Sequence, residues 1–538
     1  MLHLDRQAVK LLAFVVPSLL LAFFSIHNLD YFGLDYDELI FVNAALGDLD
    51  GKTFIHLKWH GLVLMVYSYI GALKSWLYIP IIKLFGVNPW SVRIPVVLIL
   101  YVNVYLSYKV ALGYFSRYVA YAVFLILSVD LTFITLQRFD KGPSAIETLV
   151  KLGILILLLR PETVKKQFLL VALVLIGIYN KVNFIWIVNA LYGVCFLMHW
   201  TDIKEVIQRN ISLQAFFRSI IFRYTVLYLC IVICYVAFIL ALEIHPSPLP
   251  STIKELGEVI VFQVKMVKYT LINTRVFFWF GWNYQNNLLQ LAGNLLFPGI
   301  ILINLFIYWT RRVSFRSFHT AFGLYIVLIF IQIVVTVNAT NAWHTFVLYP
   351  ALHIFILHSF YLLFQPFSGV KKLSFVTIAG LLTVVNIYNQ YQFWLKSKHE
   401  CVTGELFIPE MSTLISYTQK RPERTIISTA WGLHSPLLLS DKKNKTYFES
   451  IFLPYPTGYE KWYQENVKTL KSSGQILLVD CVLEKTPMYG HNYNVRDNYR
   501  FRLLNEFLNT KKQNAYLIAV IRNKCGEPVY NIYKLHDI

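Results

Sequence analysis

Val9-Lys10-Leu11-Leu12-Ala13-Phe14-Val15-Val16-Pro17-Ser18-Leu19-Leu20-Leu21-Ala22-Phe23-Phe24-Ser25-Ile26, followed shortly by Leu34-Asp35-Tyr36-Asp37-Glu38-Leu39, sets the terms for the whole chain. The apolar run has the length of roughly 20 residues that a helix needs to cross the hydrocarbon core of a bilayer. Arg6 and Lys10 flank its start, as they would in a signal peptide. No small-residue cleavage site follows, however, so the run reads as a retained first span with the N-terminus in the cytoplasm. The acidic group Asp35, Asp37 and Glu38 then stands just beyond the outer membrane boundary. A carboxylate there is partly desolvated, its proton affinity rises, and it can serve as a base if a cation or a hydroxyl lies near. Taken alone, such a group is more often a solvated acidic loop.

The rest of the chain supports a membrane reading. Its 538 residues are 57% hydrophobic and only 15% charged, with a mean hydropathy of +0.53, which makes lipid the main solvent. Apolar stretches recur to Leu395, and the pattern predicts about eleven spans, near 9–27, 93–111, 118–136, 143–160, 168–180, 183–199, 222–243, 294–310, 319–337, 345–364 and 373–394. The breaks that then fall inside carry Lys109/Arg117, Arg160/Lys165/Lys166, Lys204/Arg209/Arg218/Arg223, Arg311/Arg312/Arg316 and Lys371/Lys372, the bias expected of cytoplasmic loops. An odd number of spans places the tail outside, with Asp37. The expected fold class is an all-α polytopic membrane domain over 1–395, followed by an extracytoplasmic α/β domain over 396–538. The net charge of +19 is spread along the span flanks rather than gathered in a patch, so nucleic acid is not an expected partner.

Two outer loops are long. The first, about 28–92, holds an amphipathic stretch from Phe54 to Phe85, rich in Tyr and Trp, of the kind that lies in the membrane interface. The second, about 244–294, opens on the breaker run His245-Pro246-Ser247-Pro248 and is expected to carry a surface helix. In the tail, Thr425–Thr429, Gln475–Leu483, Ala515–Arg522 and Pro528–Leu535 read as strands, with helices over Tyr459–Lys471 and Asp497–Thr510. Of the six cysteines, Cys401, Cys481 and Cys525 lie in the tail. They allow at most one internal disulfide. Cys481 with Cys525 is the preferred pairing, because both lie on or beside expected strands, and reduced thiols are the alternative.

The stretch Tyr69-Ile70-Gly71-Ala72-Leu73-Lys74-Ser75-Trp76-Leu77-Tyr78 leads on to Lys83-Leu84-Phe85-Gly86-Val87 and then Ser91-Val92-Arg93-Ile94-Pro95. An Asp-Glu pair after the first span, this loop, and an Arg-x-Pro opening the second resemble the GT-C membrane glycosyltransferases. Within them the pattern looks most like the branch of the protein O-mannosyltransferases and the lipid A aminoarabinose transferases. The resemblance extends to about Tyr349 and is weak in the tail. It implies that Asp37 is the base that activates the acceptor, with Glu38 positioning the loop and Arg93 as the ionic partner of Glu38. It also implies that Asp140, in the turn Gln137-Arg138-Phe139-Asp140-Lys141-Gly142-Pro143, faces the first-loop pair. By itself an Asp there is an ordinary helix cap.

The donor implied by the resemblance is a sugar on a polyprenyl phosphate, whose leaving group needs cations at the outer boundary. Lys181, in Ile178-Tyr179-Asn180-Lys181-Val182-Asn183, and Lys74 are the expected phosphate contacts, joined by His344 in Trp343-His344-Thr345. Lys74 and His344 serve equally well as interfacial anchors. His56 and His60 stand four apart, but without a third ligand they read as interfacial histidines, and a divalent metal stays open and unsupported. The expected activity is sugar transfer, with inversion, from a polyprenyl-phosphate donor to a glycan, lipid or protein acceptor at the outer face. The membrane expected from the resemblance is a bacterial inner membrane. The alternative is a transporter or flippase of a lipid-linked or small solute. Against it, the suggestive charges gather at one boundary rather than the midplane, and no internal repeat is evident.

Overall fold

The computed structural model describes residues 6–47, 55–199, 220–244, 252–282, 287–311, 313–314, 317–336, 342–365, 371–402 and 409–423, together with five strands and short pieces of the tail. Of the expected helix over Tyr459–Lys471 only residues 460, 461, 463 and 464 are described, and these are helical; most of that over Asp497–Thr510 and the run His245–Pro248 lie outside the described residues. Helix α1 (Arg6–Ile26) leads into a short α2 (Tyr36–Ala45), a small sheet, and α3 (Leu73–Phe85). The bundle continues with α4 (Pro89–Tyr114), α5 (Arg117–Leu127), α6 (Leu131–Phe139), α7 (Ser144–Leu158), α8 (Val164–Asn180) and α9 (Ile185–Met198). Helices Ile220–Ala241, Ile253–Leu271, Asn287–Arg311, Phe318–Val335, Ala351–Leu363 and Lys371–His399 complete it.

Helices stand at all eleven expected span positions, but not all are long enough to cross alone. Among the described residues five are long and apolar enough to do so, within Pro89–Tyr114, Phe222–Ala241, Gly293–Thr310, Phe318–Val335 and Leu373–His399. A sixth results if α5 and α6, bent by 62° at their junction, form one broken span. The outward surface is apolar. On Ile220–Ala241, Leu229, Ile233, Val236 and Leu240 make an exposed stripe, a surface that water would penalise and lipid accepts. The chain is an integral membrane protein.

The break between α5 and α6 would strand backbone groups in lipid, where each unpaired one costs several kcal/mol. Side chains fill the gap. Asp130 Oδ1 accepts from Phe133 N at 2.6 Å, Asn273 Oδ1 from Thr132 N at 2.7 Å, and Gln390 Nε2 donates to Val129 O at 3.3 Å.

In the first long loop the expected amphipathic stretch is sheet in its first half and helix, α3, in its second. Residues Leu57–Trp59 (β1), Leu62–Tyr67 (β2) and Ile70–Gly71 (β3) form an antiparallel sheet in the order β1-β2-β3. His60 and Gly61, with φ of 45° and 81°, make a two-residue turn of the kind that matches strand twist. His56 precedes β1 and His60 sits in this turn, so the two share no helix face. The misreading has a simple cause. Leu57, Trp59 and Leu62 are exposed while Val63, Met65 and Val66 are buried, so apolar residues lie on both faces and the alternation of a strand is blurred. The inner face packs on Leu39–Val42 of α2 and on Tyr78 and Ile82 of α3. In the second outer loop, Ile253–Leu271 is the expected helix.

The sheet meets the hairpin between α8 and α9. Ile70 pairs with Lys181 in an isolated antiparallel bridge, Val182 N donates to Tyr69 O at 3.0 Å, and Tyr179 Oη donates to Leu64 O at 2.6 Å. The approach is close. A Cβ on Gly71 would stand 2.2 Å from Tyr179 O, so only glycine fits.

In the tail, β4 (Thr425–Ser428), β5 (Thr446–Glu449), β6 (Ile476–Cys481), β7 (Asn514–Arg522) and β8 (Pro528–His536) form one sheet in the order β5-β4-β6-β8-β7. The first three are parallel, and β8 runs antiparallel to both β6 and β7. Four strands fall where expected; β5 and the helix Met411–Gln419 were not anticipated. The cysteine pairing differs from the expected one. Cys401 bonds Cys525, with Cα atoms 6.1 Å apart, and Cys481 is a thiol. Cys481 ends β6, whereas Cys525 lies in the β7–β8 turn, which reaches back to the end of Lys371–His399. There Lys524 Nζ donates to Ser397 O, Lys398 O and Tyr31 Oη at 2.9, 3.0 and 3.0 Å.

Peptide mapping of the alkylated, non-reduced protein is expected to link the Cys401 and Cys525 peptides and to find Cys481 modified. Cys401→Ser should destabilise the tail by about 2–4 kcal/mol, the usual range for a native bridge over a long loop, read as faster proteolysis. A bridge that includes Cys481 would refute this pairing. Gly71→Ala is expected to cost about 1–3 kcal/mol through overpacking, and a thermal midpoint equal to wild type would refute the close approach.

Candidate active site

Five segments bring charged side chains to one end of the bundle. Glu38, in the first turn of α2, is 1% exposed and Arg93, in the first turns of α4, is fully buried. Arg93 Nε donates to Glu38 Oε1 and Nη2 to Glu38 Oε2, both at 2.7 Å. The remaining guanidinium hydrogens go to backbone oxygens of Leu29 and Phe32 through Nη1 and of Gly33 through Nη2. Glu38 Oε2 also accepts Asp35 N at 2.8 Å. Sequence dictates the position: α4 starts at an Asn88 cap followed by Pro89, a strong start signal, which fixes Arg93 one turn inside.

Asp35 caps α2 and is 5% exposed. Its Oδ2 lies 2.9 Å from Lys141 Nζ. Burial pushes the Asp35 carboxyl up to about 6, with Lys141 opposing the shift and the neighbouring Asp37 charge adding to it. Asp37 differs from both neighbours. It is half-buried, and no hydrogen bond or ion pair of its side chain occurs among the described residues.

Asp140 closes α6 in the left-handed conformation, φ 46°. Its Oδ1 accepts Ala145 N at 2.6 Å, tying the turn to α7, and its Oδ2 faces Lys74 Nζ at 3.1 Å. Lys74 Nζ also donates to Asp140 O at 2.9 Å and lies 4.7 Å from the Phe41 ring centroid. Lys181 follows α8; its ammonium is 3% exposed and faces Glu147 Oε2 across 3.6 Å, beyond hydrogen-bond reach. A Cβ on Gly142 would lie 3.4 Å from Lys181 Nζ, so the Asp140–Gly142 turn runs directly beside it.

Asp35, Glu38, Lys74, Arg93, Asp140 and Lys181 are thus joined by contact, and Asp37 lies among them. His344 is half-buried on the short helix Ala342–Thr345, which packs against Ile253–Leu271; the turn that follows it meets Lys151 of α7 through Val347 O and Tyr349 O. Sequence reasoning missed Lys141, Glu147 and Tyr78. Lys141 adjoins Asp140 and its type alone was a signal, but Glu147 gains meaning only from its approach to Lys181. Tyr78 is fully buried, and its hydroxyl has no partner among the described residues. Burial, reinforced by the Asp140 and Glu38 charges, pushes the phenol well up, so it stays a neutral donor. Among the described residues no three His, Cys, Asp or Glu side chains gather to hold a metal ion.

Chemically, the cluster supplies a half-buried carboxylate with spare acceptor capacity, a buried lysine with spare donors, and ion pairs that fix the loops carrying them. No family model and no curated protein sequence matches the chain. Solved structures do. ArnT from Cupriavidus metallidurans bound to undecaprenyl phosphate superposes with a TM-score of 0.53 at 13% identity, covering 98% of each chain. The apo form of the same protein gives 0.54 at 12% identity over the same shares. The apo oligosaccharyltransferase of Archaeoglobus fulgidus gives 0.52 at 12% identity, covering 89% of this chain and 70% of that one. At such identities the likeness is one of architecture, and it extends through the tail: the chain has the GT-C fold of these membrane proteins.

Proposed function

We propose that the chain is a membrane glycosyltransferase that moves a sugar from a polyprenyl-phosphate carrier to an acceptor hydroxyl on the outer face. One observation carries the reading. Of the three acids in Asp35–Glu38, two are locked in ion pairs and Asp37 alone keeps a half-exposed carboxylate without a described partner. The undecaprenyl phosphate bound by the structurally similar ArnT supports the donor class. The resemblance supports 1–395 as the transferase unit and 396–538 as an extracytoplasmic domain. The N-terminus lies in the cytoplasm of a bacterial inner membrane, and the Cys401–Cys525 bridge favours an oxidising compartment for the tail.

In the reaction Asp37 takes the proton of an acceptor hydroxyl while its oxygen bonds to the anomeric carbon. The bond from that carbon to the phosphate oxygen breaks, the electron pair leaves with the lipid phosphate, and one displacement inverts the centre. Lys181, whose ammonium makes no hydrogen bond among the described residues, stabilises the departing charge. Lys74, already engaged with Asp140, holds the 140–142 turn in place and adds to the positive field. Arg93 and Glu38 position the loop that bears Asp37. His344 is a further candidate contact for the phosphate.

Asp37→Asn is expected to lower transfer from a polyprenyl-phosphate sugar by about 10²–10⁴-fold, the usual worth of a general base, with the protein still inserted and folded. A rate within twofold of wild type would sink the assignment. Lys181→Met is expected to weaken donor use, measured as kcat/KM, by about tenfold or more, as for a lost charge-assisted contact; an unchanged value would remove it from the donor site. Asp35 gives a pH test. Its folded carboxyl, raised to about 6, binds protons more tightly than the unfolded chain does. Its contribution to stability is therefore full in acid and lost as pH rises through about 6. The thermal midpoint should fall more steeply between about pH 4 and 6 in wild type than in Asp35→Asn, and equal slopes would contradict the burial argument.

A further inference from the structure

A second polar group is buried on another face of the same bundle end. Arg138, on α6, is 3% exposed. Its Nη1 donates to His27 O at 2.9 Å, whereas Nε and Nη2 have no hydrogen-bond partner among the described residues. Leaving two guanidinium nitrogens buried with their N–H bonds unmet costs several kcal/mol. A ligand that accepts them would remove that cost.

Arg138 lines a cavity of about 340 Å³ between the end of α1, α6 and the helix Lys371–His399. The walls are apolar and aromatic, including Phe23, Phe24, Ile134, Tyr391 and Trp394. Phe23 and Tyr391 are 58% and 50% exposed, so the cavity opens sideways, onto the surface that faces lipid. Apart from sharing α6 it has its own lining: none of its lining residues is one of the paired acids or their cations, and the Phe139 ring stands against both Arg138 and Arg93, at 4.7 and 4.5 Å. An apolar pocket that opens to the bilayer and ends in a guanidinium fork is complementary to an amphiphile with an anionic head. Arginine presents paired donors that match phosphate oxygens.

We infer that this cavity binds the phosphate head of a membrane lipid, with the first part of its chain lying along Phe23, Phe24 and Tyr391. The lipid enters from the bilayer, and the Arg138 guanidinium turns out of the wall so that Nε and Nη2, covered in the unliganded structure, donate to its phosphate oxygens. The site is distinct from the donor site proposed above and stands whether or not that reading holds.

The test uses the full-length protein in phosphatidylcholine nanodiscs with a diazirine-bearing dodecyl phosphate, and maps the photo-adducts by peptide mass spectrometry. Adducts are expected on residues 23–28 and 387–394. Arg138→Gln should reduce them by about tenfold or more, the worth of a charge-assisted pair, and Arg138→Lys should restore part of the labelling. Tyr391→Glu, at an exposed position that tolerates exchange, places a negative charge at the mouth and should reduce labelling as well. If Arg138→Gln does not fold, that variant decides alone. Unlabelled dodecyl phosphate should compete, and inorganic phosphate at the same concentration should not. No adducts on these two segments, or labelling there unchanged in the variants, would overturn the site; adducts beside Lys181 would belong to the donor site. Equal competition by inorganic phosphate would overturn its assignment to a lipid.

Discussion

The buried Glu38–Arg93 pair is the constraint on which this end of the molecule depends. Neither residue reaches water, and every donor of the guanidinium is spoken for, two by Glu38 and the rest by the backbone of Leu29, Phe32 and Gly33. The pair therefore does more than neutralise two charges: it folds the chain between α1 and α2 around a single side chain of α4. Breaking such a pair from one side typically costs about 3–5 kcal/mol, because the remaining charge is stranded. Replacing both partners with apolar residues removes the charge problem but leaves three carbonyl groups without donors. That asymmetry is why the interaction sets loop geometry rather than overall stability.

From this fixed point the other contacts follow outward. Asp35, held through its N–H by Glu38, turns its carboxylate to Lys141. Lys141 belongs to the turn that Asp140 closes, and Asp140 reaches Lys74. Lys74 opens α3 directly after β3, and β3 pairs with Lys181. The links alternate between ion pairs and backbone pairing, and each joins segments distant in sequence. Rigid surroundings leave Asp37 the group whose environment a bound molecule would complete, which is the arrangement expected of a preorganised site.

The sequence made much of the membrane part legible because its signals are local. Apolar runs located the helices, and Asn88-Pro89 and the acidic first turn of α2 marked helix starts. The four tail strands with strong β-branched content, such as Ile476–Cys481, were readable for the same reason. What failed was non-local. Whether Leu57–Gly71 is a sheet depends on α2 and α3 covering one face, and β5 exists only by pairing with β4. Cys401 meets Cys525 because the β7–β8 turn folds back on the end of the long helix, a matter of tertiary path that spacing does not encode. In the site, residue types and order pointed to Asp37, Glu38, Arg93, Asp140, Lys74 and Lys181, while Glu147 and Tyr78 gain relevance only through the neighbours that folding gives them.

The contact of Lys524 with Tyr31, Ser397 and Lys398 also fixes an order of events during biosynthesis. Tyr31 emerges from the ribosome 493 residues before Lys524. The loop that bears the acidic cluster therefore waits for that length of chain before it receives this brace. A chain interrupted in the tail would carry every charged residue of the cluster and still lack this closure. The β7–β8 turn thus clamps a loop laid down far earlier in synthesis.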